Sequence, residues 1–151
     1  MNTIIKRPDS ERLRNAIFRL ESWMEQQPQA EIEIVHRFAP GVYSREMIVP
    51  AGVTLCGAVH KTEHVSIFLE GRMLIPDQDG ESIEIEAPLV EIAKPGVKRV
   101  GLAIERVRWI TVHPTEETDI AKLEQQLVTN DPVEADRIAH QSAMIGTEVE
   151  K

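Results

Sequence analysis

The chain has 151 residues, of which 42% are hydrophobic and 28% are charged, a composition that is ordinary for a soluble protein of one domain. Its formal net charge is −8, and no basic stripe of the kind that binds duplex nucleic acid or a membrane surface is visible. The sequence has no apolar run near the ~20 residues of a membrane helix and no signal-peptide core at its start. It therefore predicts a cytoplasmic protein that binds neither nucleic acid nor membrane.

The first predicted element is an amphipathic helix over residues 9–26. Asp9 or Ser10 can cap it, and apolar residues recur at helical spacing in Leu13, Ile17, Leu20 and Met24. Gln27-Pro28-Gln29 ends the pattern. We assign residues 1–30 to this N-terminal helix.

Residues 31–114 change to the period-two pattern of short β-strands. Turn residues separate the strands at Pro40-Gly41, Pro50–Gly52, Asp77–Gly80 and Pro95-Gly96. The apolar alternation runs through Ile32/Ile34, Met47/Val49, Val65/Ile67/Leu69, Ile83/Ile85, Val90/Ile92, Val100/Leu102/Ile104 and Val107/Trp109/Thr111. This spacing predicts a mainly β sandwich or small barrel built from hairpins.

Residues 115–151 form an acidic segment with two predicted helices. From Thr115 onward nine acidic residues face three basic ones, a balance of −6, whereas the first 114 residues have a balance of −2. Pro114-Thr115-Glu-Glu is expected to open one helix, carrying Ile120, Leu123 and Leu127, and Asp131-Pro132-Val-Glu134 to open the other. The acidity favours a solvated helical face, and a contact with a basic partner is the alternative.

Two histidines flank a three-residue break in the β region. On one continuous strand His60 and His64 would lie roughly 13 Å apart. A tight turn at Lys61-Thr62-Glu63 instead folds the chain back and brings the imidazoles together. We expect the two histidines on adjacent strands, with side chains directed to the interior. The nearby Cys56, the single cysteine, is expected to be a small buried hydrophobe.

Residues 41–113 resemble the cupin family, whose fold is a small double-stranded-sheet jelly roll. Pro50-Ala-Gly52 resembles the turn before the first cupin motif. His60 matches the second histidine of that motif, His64 stands at its usual glutamate, and Gly71 matches its closing glycine. The order Pro88 … Lys94-Pro95-Gly96 … Arg99 resembles the second motif, and Trp109–Pro114 the last barrel strand. The layout of helix, barrel and acidic tail resembles small single-domain cupins of phages and prophages.

The resemblance implies a cupin-like jelly-roll barrel with an N-terminal helix and C-terminal helices. It also implies a divalent transition metal (Fe, Mn, Ni or Zn) on His60 and His64. Two usual ligands are missing, because Ala58 replaces the first motif histidine and Arg99 stands near the last one. Two imidazoles alone make a weak metal site. Arginine instead suits a carboxylate or a phosphate.

The candidate ligand-binding residues are Tyr43, Arg45, His60, His64 and Arg99. Tyr43 and Arg45 alternate on one face of a predicted strand and point either inward or to the surface. His113 is interpreted as a boundary residue at a strand end, with lining of the pocket as the alternative. His36 and His140 are taken as background.

Three function classes follow from these residues. The first is an accessory or binding protein with a pocket for a small polar or anionic ligand, or for a metal, at the barrel mouth. The second is a metal-dependent enzyme of oxygenase or isomerase type that uses His60 and His64. The third is a structural protein that acts through its oligomer. The missing ligands favour the first class over the second.

A homodimer is expected on independent grounds. The apolar stripes of the first two predicted helices must be buried, and exchange of a helix or pairing of edge strands across a twofold axis would bury them. The alternative is that all helices pack back on their own barrel.

Overall fold

The computed structural model describes residues 11–77 and 79–149. The chain forms three helices and eleven strands in these ranges. The helices are α1 (Glu11–Met24), α2 (Ile120–Leu127) and α3 (Pro132–Val149). The strands are β1 (Glu33–Ala39), β2 (Val42–Val49), β3 (Thr54–Cys56), β4 (Val59–His60), β5 (His64–Glu70), β6 (Arg72–Pro76), β7 (Ser82–Glu86), β8 (Leu89–Ala93), β9 (Val100–Ala103), β10 (Val107–Pro114) and β11 (Val128–Thr129).

Two antiparallel sheets make up the body of the molecule. The five-stranded sheet has the order β1-β2-β10-β5-β8, and the four-stranded sheet has the order β3-β9-β6-β7. Strands β4 and β11 form a separate two-stranded ribbon. The mainly β class with terminal helices is thus as the sequence predicts, although these strands form two facing sheets and not one closed barrel.

The hydrophobic core lies between the two sheets. Val49, Phe68 and Val107 enter it from the five-stranded sheet, and Met73 and Ala103 enter it from the four-stranded sheet. The period-two alternation explains this arrangement, because alternate residues of each strand point to the same face.

Helix α1 packs on its own chain through Ile17 and Phe18, which are buried. The ammonium group of Lys98 also holds this helix, since it donates to Glu21 Oε2 and to the Gly57 carbonyl oxygen, both at 2.8 Å. The apolar side of α1 is therefore largely covered without a partner chain. The predicted caps Asp9 and Ser10 lie outside the described residues.

Helix α2 begins later than the sequence predicts. Its N-cap is Asp119, whose side chain accepts a hydrogen bond from the Lys122 amide. The Thr115 hydroxyl and the Glu117 carboxylate instead accept bonds from nearby amides, and this competes with helix formation over 115–118. Leu123 and Leu127 pack against Tyr43, so the stripe of α2 is buried by its own sheet.

Candidate functional site

His60 and His64 come together as the sequence predicts, with ring centroids 4.1 Å apart. The chain bends over residues 61–63, and this bend folds β5 back beside β4. The two strands lie near each other but are not hydrogen-bonded to each other. Strand β4 pairs with β11, in register His60 with Val128, because β5 already lies between β10 and β8.

A third histidine completes the cluster. His113 on β10 lies 4.7 Å from the His64 ring and 5.3 Å from the His60 ring, measured between centroids. The row of rings continues across the sheet through Tyr43, at 6.0 Å from His113, and Phe38, at 5.1 Å from Tyr43. Register places Phe38, Tyr43 and His113 directly opposite one another on β1, β2 and β10.

A polar row runs beside these rings on the same inner face. Residues paired across the strands share one face of a sheet. The register aligns His36, Arg45, Thr111, Ser66 and Glu91 in this way. Tyr43 and Arg45 therefore both point inward, which decides between the two orientations that the sequence left open.

Two adjoining cavities lie beside these rows. The larger has a volume of about 830 Å³ and is lined by Tyr43, Arg45, His60 and His113, with α2 on its far side. The smaller has a volume of about 90 Å³, lies between the sheets and is lined by His60, His64 and Arg99 together with apolar side chains. All five predicted ligand-binding residues thus line one cavity or the other, and His60 lines both.

The histidines are uncharged at neutral pH. Burial is the main reason that the pKa of His60 falls to about 2, and the charges of neighbouring histidines and of Arg45 and Arg99 lower it further. Burial likewise lowers the pKa of His113 to about 4 and lowers the pKa of His64. Each neutral imidazole offers one donor and one acceptor nitrogen.

Two histidines have defined hydrogen bonds. The Nδ1 atom of His64 lies 3.0 Å from the Thr62 carbonyl oxygen, so it must carry the proton and leave Nε2 as an acceptor. The Nε2 atom of His113 lies 3.0 Å from the Thr111 hydroxyl. Its Nδ1 atom is buried and finds no hydrogen-bond partner among the described residues. A buried polar atom left in this way costs free energy unless a ligand or water satisfies it.

The two predicted arginines differ in their ion pairs. Arg99 lies 3.5 Å from Glu91 Oε1. Arg45 is half-buried, and in the part of the chain that the structure describes no carboxylate lies within 4.0 Å of its guanidinium group. Glu124 of α2 lines the same cavity but is exposed. The cavity therefore presents an uncompensated cation beside three neutral imidazoles.

The histidine cluster does not fit a metal centre. Ligand nitrogens must converge on one point about 2 Å from each, whereas the ring of His113 stacks on those of His60 and His64 with interplanar angles of 16° and 30°. Over residues 11–77 and 79–149, no three His, Cys, Asp or Glu side chains are placed to hold a metal ion.

Cys56 behaves as the sequence predicts. Its thiol is half-buried, contacts the Met24 sulfur at 3.7 Å, and has a pKa raised to about 11, mainly by burial. It is therefore not a nucleophile at neutral pH.

Neither a protein-family model nor a curated protein sequence matches this chain. Among solved structures it is similar to a cupin-2 domain containing protein from Shewanella frigidimarina, with 16% identity, 64% of this chain and 91% of that chain covered, and a TM-score of 0.41. It is also similar to an uncharacterised double-stranded β-helix protein from Klebsiella pneumoniae, with 15% identity, 62% of this chain and 85% of that chain covered, and a TM-score of 0.47. A third similar structure is an acetylacetone dioxygenase from Acinetobacter johnsonii, with 12% identity, 57% of this chain and 61% of that chain covered, and a TM-score of 0.46.

The class defined by the fold and the cavities is a mainly β, two-sheet protein with a ligand-sized cavity on the inner face of one sheet. The resemblance to cupins seen in the motifs extends to the solved structures just described. The finer resemblance to phage-type cupins stays a prediction. No helix in the described ranges is both long and apolar enough to span a membrane.

Sequence reasoning gave His113 a place in the pocket only as an alternative and took His36 as background, yet both line the larger cavity. His36 Nδ1 lies 2.7 Å from the Tyr43 hydroxyl oxygen and lines the larger cavity. Strand parity was the available signal. His113 shares its face with Trp109, two steps of two residues away, and His36 shares its face with Ile34.

Proposed function

We propose that this protein binds a small organic anion in the larger cavity, with the guanidinium group of Arg45 as its charge partner. The observation that carries the proposal is that Arg45 lines a cavity of about 830 Å³ and, among the described residues, has no carboxylate at ion-pair distance. A volume of this size lies within the range of small-molecule sites. Arginine binds carboxylate and phosphate groups through two parallel hydrogen bonds.

The neutral histidines support an anion in a second way. A protonated histidine cluster would hold counter-ions of its own, and these would compete with the ligand. Neutral imidazoles hold none, and they act as directed hydrogen-bond donors and acceptors. The unpartnered Nδ1 atom of His113 has a place for one such bond. Arg99 is a weaker contact in this scheme, because Glu91 already offsets its charge.

Isothermal titration of acetate and of inorganic phosphate tests this function. We expect Arg45→Gln to weaken binding at least tenfold, since a charge-assisted hydrogen bond contributes about 1.5–3 kcal/mol. Arg37→Gln is the matched control, because Arg37 lies on the outer face and is paired with Glu46 at 2.9 Å. Equal affinities of Arg45→Gln and the unaltered protein would refute the proposal.

The metal-dependent enzyme that the sequence left as an alternative relies on His60 and His64 as ligands. The two nearby arginine charges argue against it, and no three His, Cys, Asp or Glu side chains of the described residues are placed to hold a metal ion. We therefore propose the binding or accessory role for this protein.

We also propose a homodimer, formed through the outer face of the five-stranded sheet. Val90 and Ile92 on the edge strand β8 are 65% and 54% exposed. The register sets them beside Ile67 and Val65 of β5, which adjoin Ile110 and Val112 of β10. The part of this face formed by β10, β5 and β8 is apolar, so it complements itself across a twofold axis, and the open edge of β8 can pair with its copy.

The helix stripes give this dimer little support, because Ile17 of α1 and Leu123 and Leu127 of α2 are buried on their own chain, and of the α1 stripe Leu20 stays 39% exposed. Light scattering measures the outcome, with twice the 17.0 kDa mass expected. Val90→Lys should give the monomer mass. Val133→Lys, at a residue of α3 that is 78% exposed, should leave the dimer intact. A monomer mass for the unaltered protein would contradict the proposal.

A further inference from the structure

The two cavities share a wall beside Arg45. Thr111, the cross-strand partner of Arg45, lines both cavities, and so does Met47, two residues along β2. Leu55 and Trp109 line both as well. A group bound to the guanidinium of Arg45 therefore lies next to an apolar wall that leads between the sheets.

The smaller cavity beyond this wall is mainly apolar. Its inner part is formed by Met73, Ile75, Ala93 and Val100. The Lys98 ammonium group also lines it, but two of its donors are already taken by Glu21 and Gly57. An apolar cavity of this kind stays dry and gains free energy when an apolar group fills it.

The volume of the smaller cavity limits the shape of its occupant. A dry cavity of about 150 Å³ accommodates benzene, and the cavity between these sheets has about 90 Å³. An unbranched chain of a few carbons suits this space better than an aromatic ring.

We infer that the ligand is an aliphatic monocarboxylate whose carboxylate group binds Arg45 and whose hydrocarbon chain enters the cavity between the sheets. This inference rests on the proposed function, and it adds the ligand class and the direction of the chain. The inner cavity also disfavours a second charge at the far end of the chain. Its two cations, Lys98 and Arg99, are already engaged by Glu21 and Glu91, and an unpaired buried carboxylate is costly.

Titration of a series of straight-chain carboxylates from acetate to decanoate tests whether the hydrocarbon chain of the ligand enters the smaller cavity. The affinity should rise about fourfold for each added methylene, the fold-change that corresponds to about 0.8 kcal/mol. It should level off once the inner cavity is full. Adipate, which carries a second carboxylate, should bind more weakly than hexanoate. An affinity that is independent of chain length, or adipate binding as tightly as hexanoate, would overturn the inference.

A matched pair of substitutions shows which cavity holds the hydrocarbon chain of the ligand. Ile75 lines the smaller cavity alone and Ile34 lines the larger one alone. Ile75→Phe should abolish the gain with chain length, while Ile34→Phe should preserve it. The opposite result, or an equal effect of both, would place the chain elsewhere and overturn the inference.

Fluorescence gives a second measurement that does not depend on how Ile75→Phe folds. Trp109 lines both cavities, and Trp23, the other tryptophan, is 60% exposed and can be replaced in Trp23→Phe. A hexanoate with bromine on its terminal carbon should quench Trp109 in this variant at an occupancy at which hexanoate itself does not. No quenching would overturn the inference.

The results separate the inference from the function beneath it. If carboxylates of all chain lengths bind with equal affinity and Arg45→Gln abolishes this binding, the direction of the hydrocarbon chain is refuted but the anion site is not. Carboxylate binding that does not depend on Arg45 refutes both.

Discussion

Arginines on the two faces of the five-stranded sheet have opposite charge environments. On the outer face, Arg37 and Arg108 both donate to Glu46, whose side chain is only 1% exposed. On the inner face, Arg45 is the sequence neighbour of Glu46 but lies among neutral histidines, with no carboxylate at ion-pair distance in the described ranges. A compensated cluster stabilises the fold, whereas an uncompensated charge beside a cavity indicates a ligand.

The largest effect on stability is expected at the compensated site. Glu46→Ala removes the acceptor of two arginines and should lower the free energy of unfolding by about 2 kcal/mol. Glu70→Ala is the control, because Glu70 and its partner Arg106 are both about half exposed and such pairs contribute little. Urea denaturation measures both variants. Equal losses would show that Glu46 has no special role.

Per pH unit, a smaller effect than that of Glu46→Ala is expected from each histidine as the pH falls. Their pKa values are lowered in the folded protein, so the unfolded chain binds more protons below about pH 6.5. The free energy of unfolding should therefore fall as the pH drops from about 6.5 towards 4. The slope for His113 alone is at most about 1.4 kcal/mol per pH unit.

Urea denaturation at several pH values measures this slope, and two variants assign it. His113→Asn should make the slope shallower. His140→Asn, at an exposed position of α3, should leave it unchanged. The pKa of Glu46 is also lowered, chiefly by its hydrogen bond with Arg108, so its contribution is lost only as the pH falls below about 4.5. A stability that stays constant between pH 7 and 5 would contradict this account.

The smallest effect on stability is expected at Arg45. Arg45→Met should change the free energy of unfolding by less than about 0.5 kcal/mol, or raise it, because no carboxylate is left unpaired. Arg108→Met should measurably lower it, since Glu46 loses its strongest partner. A loss at Arg45 as large as that at Arg108 would assign both arginines to the fold and remove the contrast between the two faces.

Local patterns in the sequence account for much of this architecture. Alternation of apolar residues predicts most strands of both sheets, and the break at residues 61–63 predicts the meeting of His60 and His64. The patterns do not predict that β4 pairs with β11, because that pairing depends on where α2 ends. They also place the start of α2 too early, because side chains at 115–118 bond to the backbone there.

The site is harder to predict than the sheets because it depends on register. Tyr43 and His113 become neighbours only when β2 and β10 pair. A shift of one residue in that register would turn either side chain to the opposite face. The absence of an ion pair at Arg45 has no signal in the sequence at all, since Glu46 stands next to it and points the other way.

The central position of β10 in the five-stranded sheet has a consequence for the order of folding. This strand pairs with β2, which lies near the start of the β region, and with β5, although it is the last long strand to be synthesised. A growing chain thus contains Tyr43, Arg45, His60 and His64 well before it contains the strand that aligns them. Non-local pairings of this kind form slowly. The cavity therefore cannot form before β10 has been added, because Trp109, Thr111 and His113 line it. A nascent chain that stops short of β10 exposes an unfinished sheet and cannot bind.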